Sequence, residues 1–256
     1  MVILSVALIF RNEAHNLPAW LNSVRPVADE IIALGSESAD NGPAILEQAG
    51  ARVIHQPWLG YGAQRNQAAS FCTGQWVLFL DADERLDKNL QDFLIAFKQN
   101  PLPDINGFEF NYKVFFFGKF LRHGGFFPER HVRMVRKGFG FWSEREVHED
   151  LQISGKIKRI EQGFVEHYSY NTIGEYLHRL DIYSRQAAEL MLKQNRKTTP
   201  FRAWSRGAFA FFKRYFLRLG FLDGFAGYQA ARLEGLYTFT KYARLMEMQK
   251  GWEDKK

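Results

Sequence analysis

The 256 residues include a single cysteine, Cys72, so an intramolecular disulfide is excluded. That usage suits a reducing cytoplasm. Cys72 follows Phe71 in a segment with helical spacing, where a lone cysteine behaves as a small buried hydrophobe, and no catalytic role is expected of it. No stretch reaches the roughly 18 uncharged apolar residues that a bilayer-spanning helix needs. The longest early apolar run, Val2–Phe10, is too short for that and has no basic segment before it, as a signal peptide would. A cytoplasmic location follows, with any membrane contact peripheral. No His-Glu-x-x-His zinc spacing occurs, because Leu151 and Gln152 follow the one His-Glu pair, His148-Glu149. Internal repeats and low-complexity linkers are absent too.

What is present is a large apolar share, 46%, enough for a sizeable core. The first hundred residues alternate. Strand-like runs at Val2–Phe10, Glu30–Leu34, Arg52–His55 and Gln75–Leu80 are separated by helical patterns at Glu13–Val24, Pro43–Gly50 and Ala63–Cys72. A further helix is expected over Leu86–Gln99, stopped by Pro101. This rhythm predicts βαβ units, hence an α/β fold on a mainly parallel sheet. In such sheets ligands gather at the carboxyl ends of the strands, where loop amides and helix N-termini converge. The informative residues are therefore Asn12 and Glu13, the loop from Gly35 through Ser36 to Asp40, and Asp81 to Glu84. Residues 106–170 hold short β-like runs cut by glycines and charges (Gly107–Phe117, His131–Val135, Ile157–Ile160, Phe164–Tyr168) and predict an irregular extension over the first sheet. Helices are expected at Ile173–Leu192, Trp204–Leu219 and Ala226–Met248.

Charge is uneven. Between Arg196 and Lys250 stand eleven Lys and Arg against three Asp and Glu, with thirteen of the forty aromatic residues. The rest of the chain carries a net −2 out of the total +6. A basic helix rich in aromatics suits the interface of an anionic membrane; equally, the aromatics would pack the helices while their charges are solvated. Nucleic acid is the other partner of such surfaces, but no recognised nucleic-acid motif is present.

The sharpest local signal is Gln75-Trp-Val-Leu-Phe-Leu-Asp81-Ala-Asp83-Glu84. An apolar strand delivers two carboxylates two residues apart, and in extended backbone both point to one side. Such a pair holds a hard divalent cation, Mg2+ or Mn2+, which shares its remaining positions with phosphate oxygens. The same residues equally suit a turn or the cap of the following helix. A calcium loop is disfavoured, since Leu86 stands where that loop needs glycine.

Five blocks in this order, Ser5-Val-Ala-Leu-Ile-Phe-Arg-Asn12-Glu13, Asp29-Glu30-Ile-Ile, Ser36-Glu-Ser38-Ala-Asp40, Gly60-Tyr-Gly62-Ala-Gln-Arg65-Asn66-Gln-Ala and Asp81-Ala-Asp83-Glu84-Arg85, resemble the family 2 glycosyltransferases of GT-A fold. Within that family the chain is most similar to bacterial lipopolysaccharide core β-1,4-glucosyltransferases. Further matching stretches are Arg133-Met-Val-Arg136-Lys, Val147-His148-Glu149, His167-Tyr168-Ser-Tyr and Leu219-Gly-Phe-Leu-Asp223-Gly. The resemblance implies a GT-A catalytic domain over 1–170, with donor-binding half 1–100 and acceptor half 101–170, followed by a helical extension over 171–256. It implies a nucleotide-sugar donor and a lipid-linked saccharide acceptor at the inner face of the membrane. Asn12, Glu13 and Ser36 would border the donor. Arg65 and Asn66 would touch the base or hold the loop beside it. Asp81 would lie near ribose and metal, and Asp83 would be the main metal ligand. Glu149 would be the base that takes the acceptor proton, with His148 positioning it or touching phosphate. One departure is plain: the family's usual aspartate after the second strand, which touches uracil, is Gly35 here. Two other function classes remain at this point. A sugar-phosphate nucleotidyltransferase would want a Gly-rich first loop, and Phe10-Arg11-Asn12-Glu13 has no glycine. A non-catalytic membrane or lipid-binding module would be explained by the basic tail alone.

Overall fold

A computed structural model describes residues 3–143, 150–170 and 172–251. The chain forms two compact units, one of Met1–Tyr112 with Arg130–His167 and one of Lys113–Glu129 with Tyr168–Lys256. The elements run β1 (Leu4–Phe10), α1 (Leu17–Val24), β2 (Glu30–Gly35), α2 (Gly42–Gln48), β3 (Arg52–His55), α3 (Tyr61–Phe71), β4 (Trp76–Phe79), β5 (Glu84–Leu86) and α4 (Lys88–Gln99). They continue with β6 (Gly107–Phe116), β7 (Lys119–Phe120), β8 (Glu129–Arg136), β9 (Gly140–Trp142), β10 (Leu151–Ile153) and β11 (Ile157–Tyr170). Three long helices close the sequence, α5 (Ile173–Lys193), α6 (Pro200–Phe212) and α7 (Gly224–Lys250).

The main sheet has the order β3-β2-β1-β4-β8-β6-β11-β5. Its first four strands are parallel, with Val6 beside Ile31 on one flank and Leu78 on the other. The direction reverses where β8 lies antiparallel to β4, pairing Met134 with Leu78. Alternation along β1 divides the core. Leu4, Val6, Leu8 and Phe10 meet Trp20 and Leu21 of α1 and Leu90, Leu94 and Phe97 of α4 on one face. Ala7, with Ile32, Leu34, Val77 and Phe79 of its neighbours, meets Ala68 and Cys72 at α3 on the other. Cys72 is buried, and burial pushes its thiol up to about 12, consistent with an inert structural cysteine.

Two expectations change. Residues 106–170 are not an irregular cover: β6, β8 and β11 extend the same sheet. The two runs Ile157–Ile160 and Phe164–Tyr168 are one 14-residue strand. Gly163 breaks the apolar pattern between them, at φ +79, because a Cβ there would lie 2.3 Å from the Leu90 nitrogen. The helix expected from Leu86 begins at Lys88, capped by Asp87, whose carboxylate accepts from the Leu90 N–H at 2.9 Å. Leu86 instead ends β5, which pairs antiparallel with β11.

In the second unit, Thr199 caps α6, accepting from the Arg202 N–H at 3.2 Å, so this helix starts four residues before the expected Trp204. It ends at Phe212 in a π-helical turn, Lys213–Leu217. Asp223 is buried and accepts the N–H groups of Arg122 and His123 at 3.0 and 2.7 Å, which fastens that loop to the helices. Among the described residues, no helix is long and apolar enough to cross a membrane.

Candidate active site

The carboxyl ends of β1 and β2 are laced together by side chains. Asn12 holds the left-handed backbone that asparagine tolerates (φ 56). Its side-chain Oδ1 accepts from the Ala39 N–H at 2.8 Å, and its backbone N–H donates to Ser38 Oγ at 3.1 Å. Asp40 accepts from the Ala14 and Gly42 N–H groups at 2.7 and 3.0 Å. Glu13 accepts from Asn16 Nδ2 at 2.8 Å, at the entry to α1. Ser36 is buried and its hydroxyl accepts from Gln64 Nε2 at 2.8 Å, so it braces α3 against this loop. Gly35 is explained by Phe10: a Cβ at 35 would lie 2.8 Å from the tip of that buried ring. The place of a side chain at 35 is filled.

β4 ends at Phe79, and residues 81–84 form a turn closed by the Glu84 N–H donating to the Asp81 carbonyl at 3.0 Å. The backbone is thus not extended there. Asp81 accepts both of its contacts from Arg65 Nη2, at 2.8 and 2.9 Å, and lies 3.4 Å from Arg133 Nη2. Burial works against its charge, but Arg65 and Arg133 outweigh it and hold the carboxyl well below the usual range. Asp81, expected beside Asp83 at the metal, is held here by two guanidinium groups. Glu84, which the sequence left without a role, is buried and pairs with Arg133 at 3.0 Å. Burial raises its carboxyl, with Arg133 opposing and Asp81 adding to the rise.

Asp83 points elsewhere. The register of β5 on β11 sets His167 opposite Glu84, and His167 Nε2 comes 3.4 Å from Asp83 Oδ2. Burial would lower the imidazole, but Asp83, with Glu84 and Asp81 behind it, pushes it up to about 9. One carboxylate and one imidazole, once the imidazole gives up its proton, would supply two of the six positions around Mn2+ or Mg2+, leaving the rest to water and phosphate oxygens. Among the described residues no group of three or more His, Cys, Asp or Glu forms a closed metal cage.

Beside this turn Arg65 and Arg133 pack over the ring of Trp142, at 4.6 and 5.5 Å. Asn66 clamps the Trp142 backbone at both ends, donating to its carbonyl at 2.9 Å and accepting from its N–H at 2.7 Å. Asn66 thus holds the loop. Arg65, Arg133 and Trp142, with Glu109, Arg130 and His131, line a cavity of about 500 Å3. Two buried donors at its wall, Arg65 Nε and Trp142 Nε1, have no partner among the described residues. Buried unpaired donors are costly, and a bound acceptor relieves them. His148 and Glu149 lie outside the described residues.

Acidic and cationic side chains thus meet at the strand ends of an α/β unit, and the comparisons decide which kind of protein uses such an arrangement. Residues 5–150 match the model of glycosyl transferase family 2. The chain belongs to that family. The α/β unit is its GT-A fold, and the protein is a glycosyltransferase. An uncharacterized glycosyltransferase of Rickettsia felis is 31% identical over 95% of this chain and 89% of its own. The lipopolysaccharide core biosynthesis glycosyltransferase LpsC of Rhizobium meliloti is 26% identical over 95% of this chain and 92% of its own. A solved structure, the glucosyl-3-phosphoglycerate synthase of Mycobacterium tuberculosis with Mn2+, UDP and glucosyl-3-phosphoglycerate, aligns with 44% of each chain at TM-score 0.35 and 24% identity. Sequence reasoning on this transferase passed over Trp142 and gave no role to Arg133 or His167. The signal for both of the latter was their place in the matching stretches Arg133-Met-Val-Arg136-Lys and His167-Tyr168-Ser-Tyr.

Proposed function

We propose that the chain is an inverting hexosyltransferase. It moves glucose from a uridine diphosphate sugar onto a lipid-linked saccharide of the lipopolysaccharide inner-core kind, at the cytoplasmic face of the membrane. The observation that carries the reading is Asp83 set against His167 beside the Arg65–Asp81–Arg133–Glu84 network. In this reading residues 1–170 are the catalytic domain and 171–256 a helical extension for the acceptor side. The LpsC relative, named for lipopolysaccharide core biosynthesis, supports the acceptor class.

Asp83 and His167 would hold the divalent cation, which neutralises charge on the departing diphosphate as a Lewis acid. Asp81, kept ionised and oriented by Arg65, would accept from a ribose hydroxyl. Arg65 Nε and Trp142 Nε1 offer donors toward the cavity. Asn12, Asp40 and Ser36 keep the strand-end loops in the shape a nucleoside would rest on. Glu149 is the residue to take the acceptor proton, with His148 beside it in sequence. Gly35, backed by Phe10, leaves the base without a carboxylate at that point, at a cost of about 1 kcal/mol for one absent hydrogen bond.

A donor screen reading UDP or GDP release, with and without Mn2+ and with membrane extract as acceptor, tests the reading. Metal-dependent release from a UDP-sugar is expected, and Asp83→Asn should lose at least about a hundredfold in turnover while keeping its fold. Full transfer by that variant, or pyrophosphate release from a nucleoside triphosphate and a sugar phosphate, would reject it.

A further inference from the structure

The helical unit contains a second charged cavity that the transfer reaction does not use. It measures about 270 Å3 and lies between α6, the π-helical turn and α7. Arg206, Lys213, Arg214, Arg218 and Lys241 line it, against the single carboxylate Glu234. Glu234 is spent on Arg214, at 3.3 Å. Even so, Arg214 Nη1 is buried without a partner among the described residues.

Five cations gathered around one acid repel each other, and folding does not neutralise them. Burial, with Arg218 adding repulsion, lowers the Arg214 guanidinium, and burial likewise lowers the Lys241 ammonium, with Arg196 adding to it. The local backbone is unusual too. The Arg218 N–H donates to the Lys213 carbonyl at 2.9 Å, the wide i to i−5 bond of a π turn. Such turns cost regular helix geometry and cluster at functional sites. Arg214 is held in place from outside, its guanidinium lying 4.1 Å from the Phe126 ring centroid. Fixed guanidinium groups are matched to the oxygens of a phosphate by geometry as well as by charge.

The same helices and the turn carry large apolar side chains to solvent: Phe201, Trp204, Phe209, Phe212, Phe216 and Leu217 are all exposed. Phe209 lies in the cavity wall itself. Aromatic side chains next to a cationic pocket suit an interface where the anion is carried by lipid.

We propose that this cavity is a binding site for a phosphate group, presented by an anionic lipid whose acyl region is met by the exposed aromatics of α6 and the π turn. The site is separate from the transfer chemistry and stands whether or not that reading holds.

The test is flotation of the full chain with phosphatidylcholine vesicles, with and without phosphatidic acid, at moderate salt. Arg206→Gln/Lys213→Gln removes two exposed cations of the cavity. Lys158→Gln/Lys193→Gln removes two exposed cations elsewhere. At about tenfold in affinity per 1.4 kcal/mol, and about 1 kcal/mol per basic residue near the surface, the cavity variant should lose roughly thirtyfold on the acidic vesicles. The remote variant should lose much less, and neither should change on neutral vesicles. Calorimetry with inorganic phosphate alone separates the sources. Binding that needs the vesicle assigns the site to lipid. Equal affinity for free phosphate, lost in the cavity variant, keeps the phosphate site and assigns it to a soluble ester. Equal losses in the two double variants, or tighter binding of a single-stranded RNA oligonucleotide than of the vesicles, would overturn the proposal.

Discussion

Asp81 and Asp83 stand two residues apart and do different work, because the chain turns between them. Asp81 is clasped by Arg65 and Arg133, whereas Asp83 faces His167. Residue-level detail of this kind is only half legible in sequence. The acidic pair announced a site, but an extended backbone was the wrong geometry for it, and only the closing bond of the turn shows this. Gly35 teaches the converse. As a sequence feature it is a missing carboxylate; in the fold it is the space taken by Phe10. Gly35→Asp should therefore destabilise the protein by about 1–3 kcal/mol through overpacking, rather than simply restore a contact. Thermal unfolding measures this, and an unchanged melting temperature would contradict it. Trp142 carried no chemical signature of its own, since its importance lies in the arginines above it and in the Asn66 clamp.

At the scale of elements, periodicity placed the first four strands well, because three of them, β1, β2 and β4, are largely apolar and buried on both faces. It failed on β11, where Gly163 divides the pattern, and on β5, three residues long and held only by its partner. Ends of elements are fixed by single polar side chains. Asp29 accepts from the Ile3 and Leu4 N–H groups at the start of β1, each at 3.0 Å, and pairs with Lys98 of α4 at 2.6 Å. Partial burial opposes its charge, but Lys98, Leu4 and Ile3 outweigh it and hold it below the usual aspartate range. A carboxylate lowered in the folded state stabilises above its unfolded pKa, and that stability is lost as pH falls through the folded value. Asp29→Asn should thus cost roughly 1–2 kcal/mol at neutral pH, discounted for partial exposure, with the gap to wild type closing below about pH 4. A constant gap from pH 7 down to pH 3 in denaturant titrations would refute it. In the helical unit, Gly227 lets α7 pass the preceding turn, since a Cβ there would lie 1.9 Å from the Gly220 carbonyl. Gly227→Ala should lower stability by more than about 2 kcal/mol, as overpacking against backbone cannot relax easily; hydrogen exchange of α7 amides reads the loss locally, and unaltered protection would count against it.

For the whole molecule, the family could be read from five short blocks because three of them sit where a loop meets the carboxyl end of β1, β2 or β4, and loops of that kind carry function on a rigid scaffold. The network around the acidic turn was less legible, since Arg133, Trp142 and His167 reach it from β8, β9 and β11. The central claim is that Asp83 and His167 together hold a divalent cation against a nucleoside diphosphate. Calorimetric titration of UDP in the presence and absence of Mn2+ tests it most directly. The wild type should show binding that Mn2+ strengthens at least about tenfold, and Asp83→Ala and His167→Ala should each abolish that dependence while still binding UDP weakly. Undiminished Mn2+ dependence in either variant would contradict the claim.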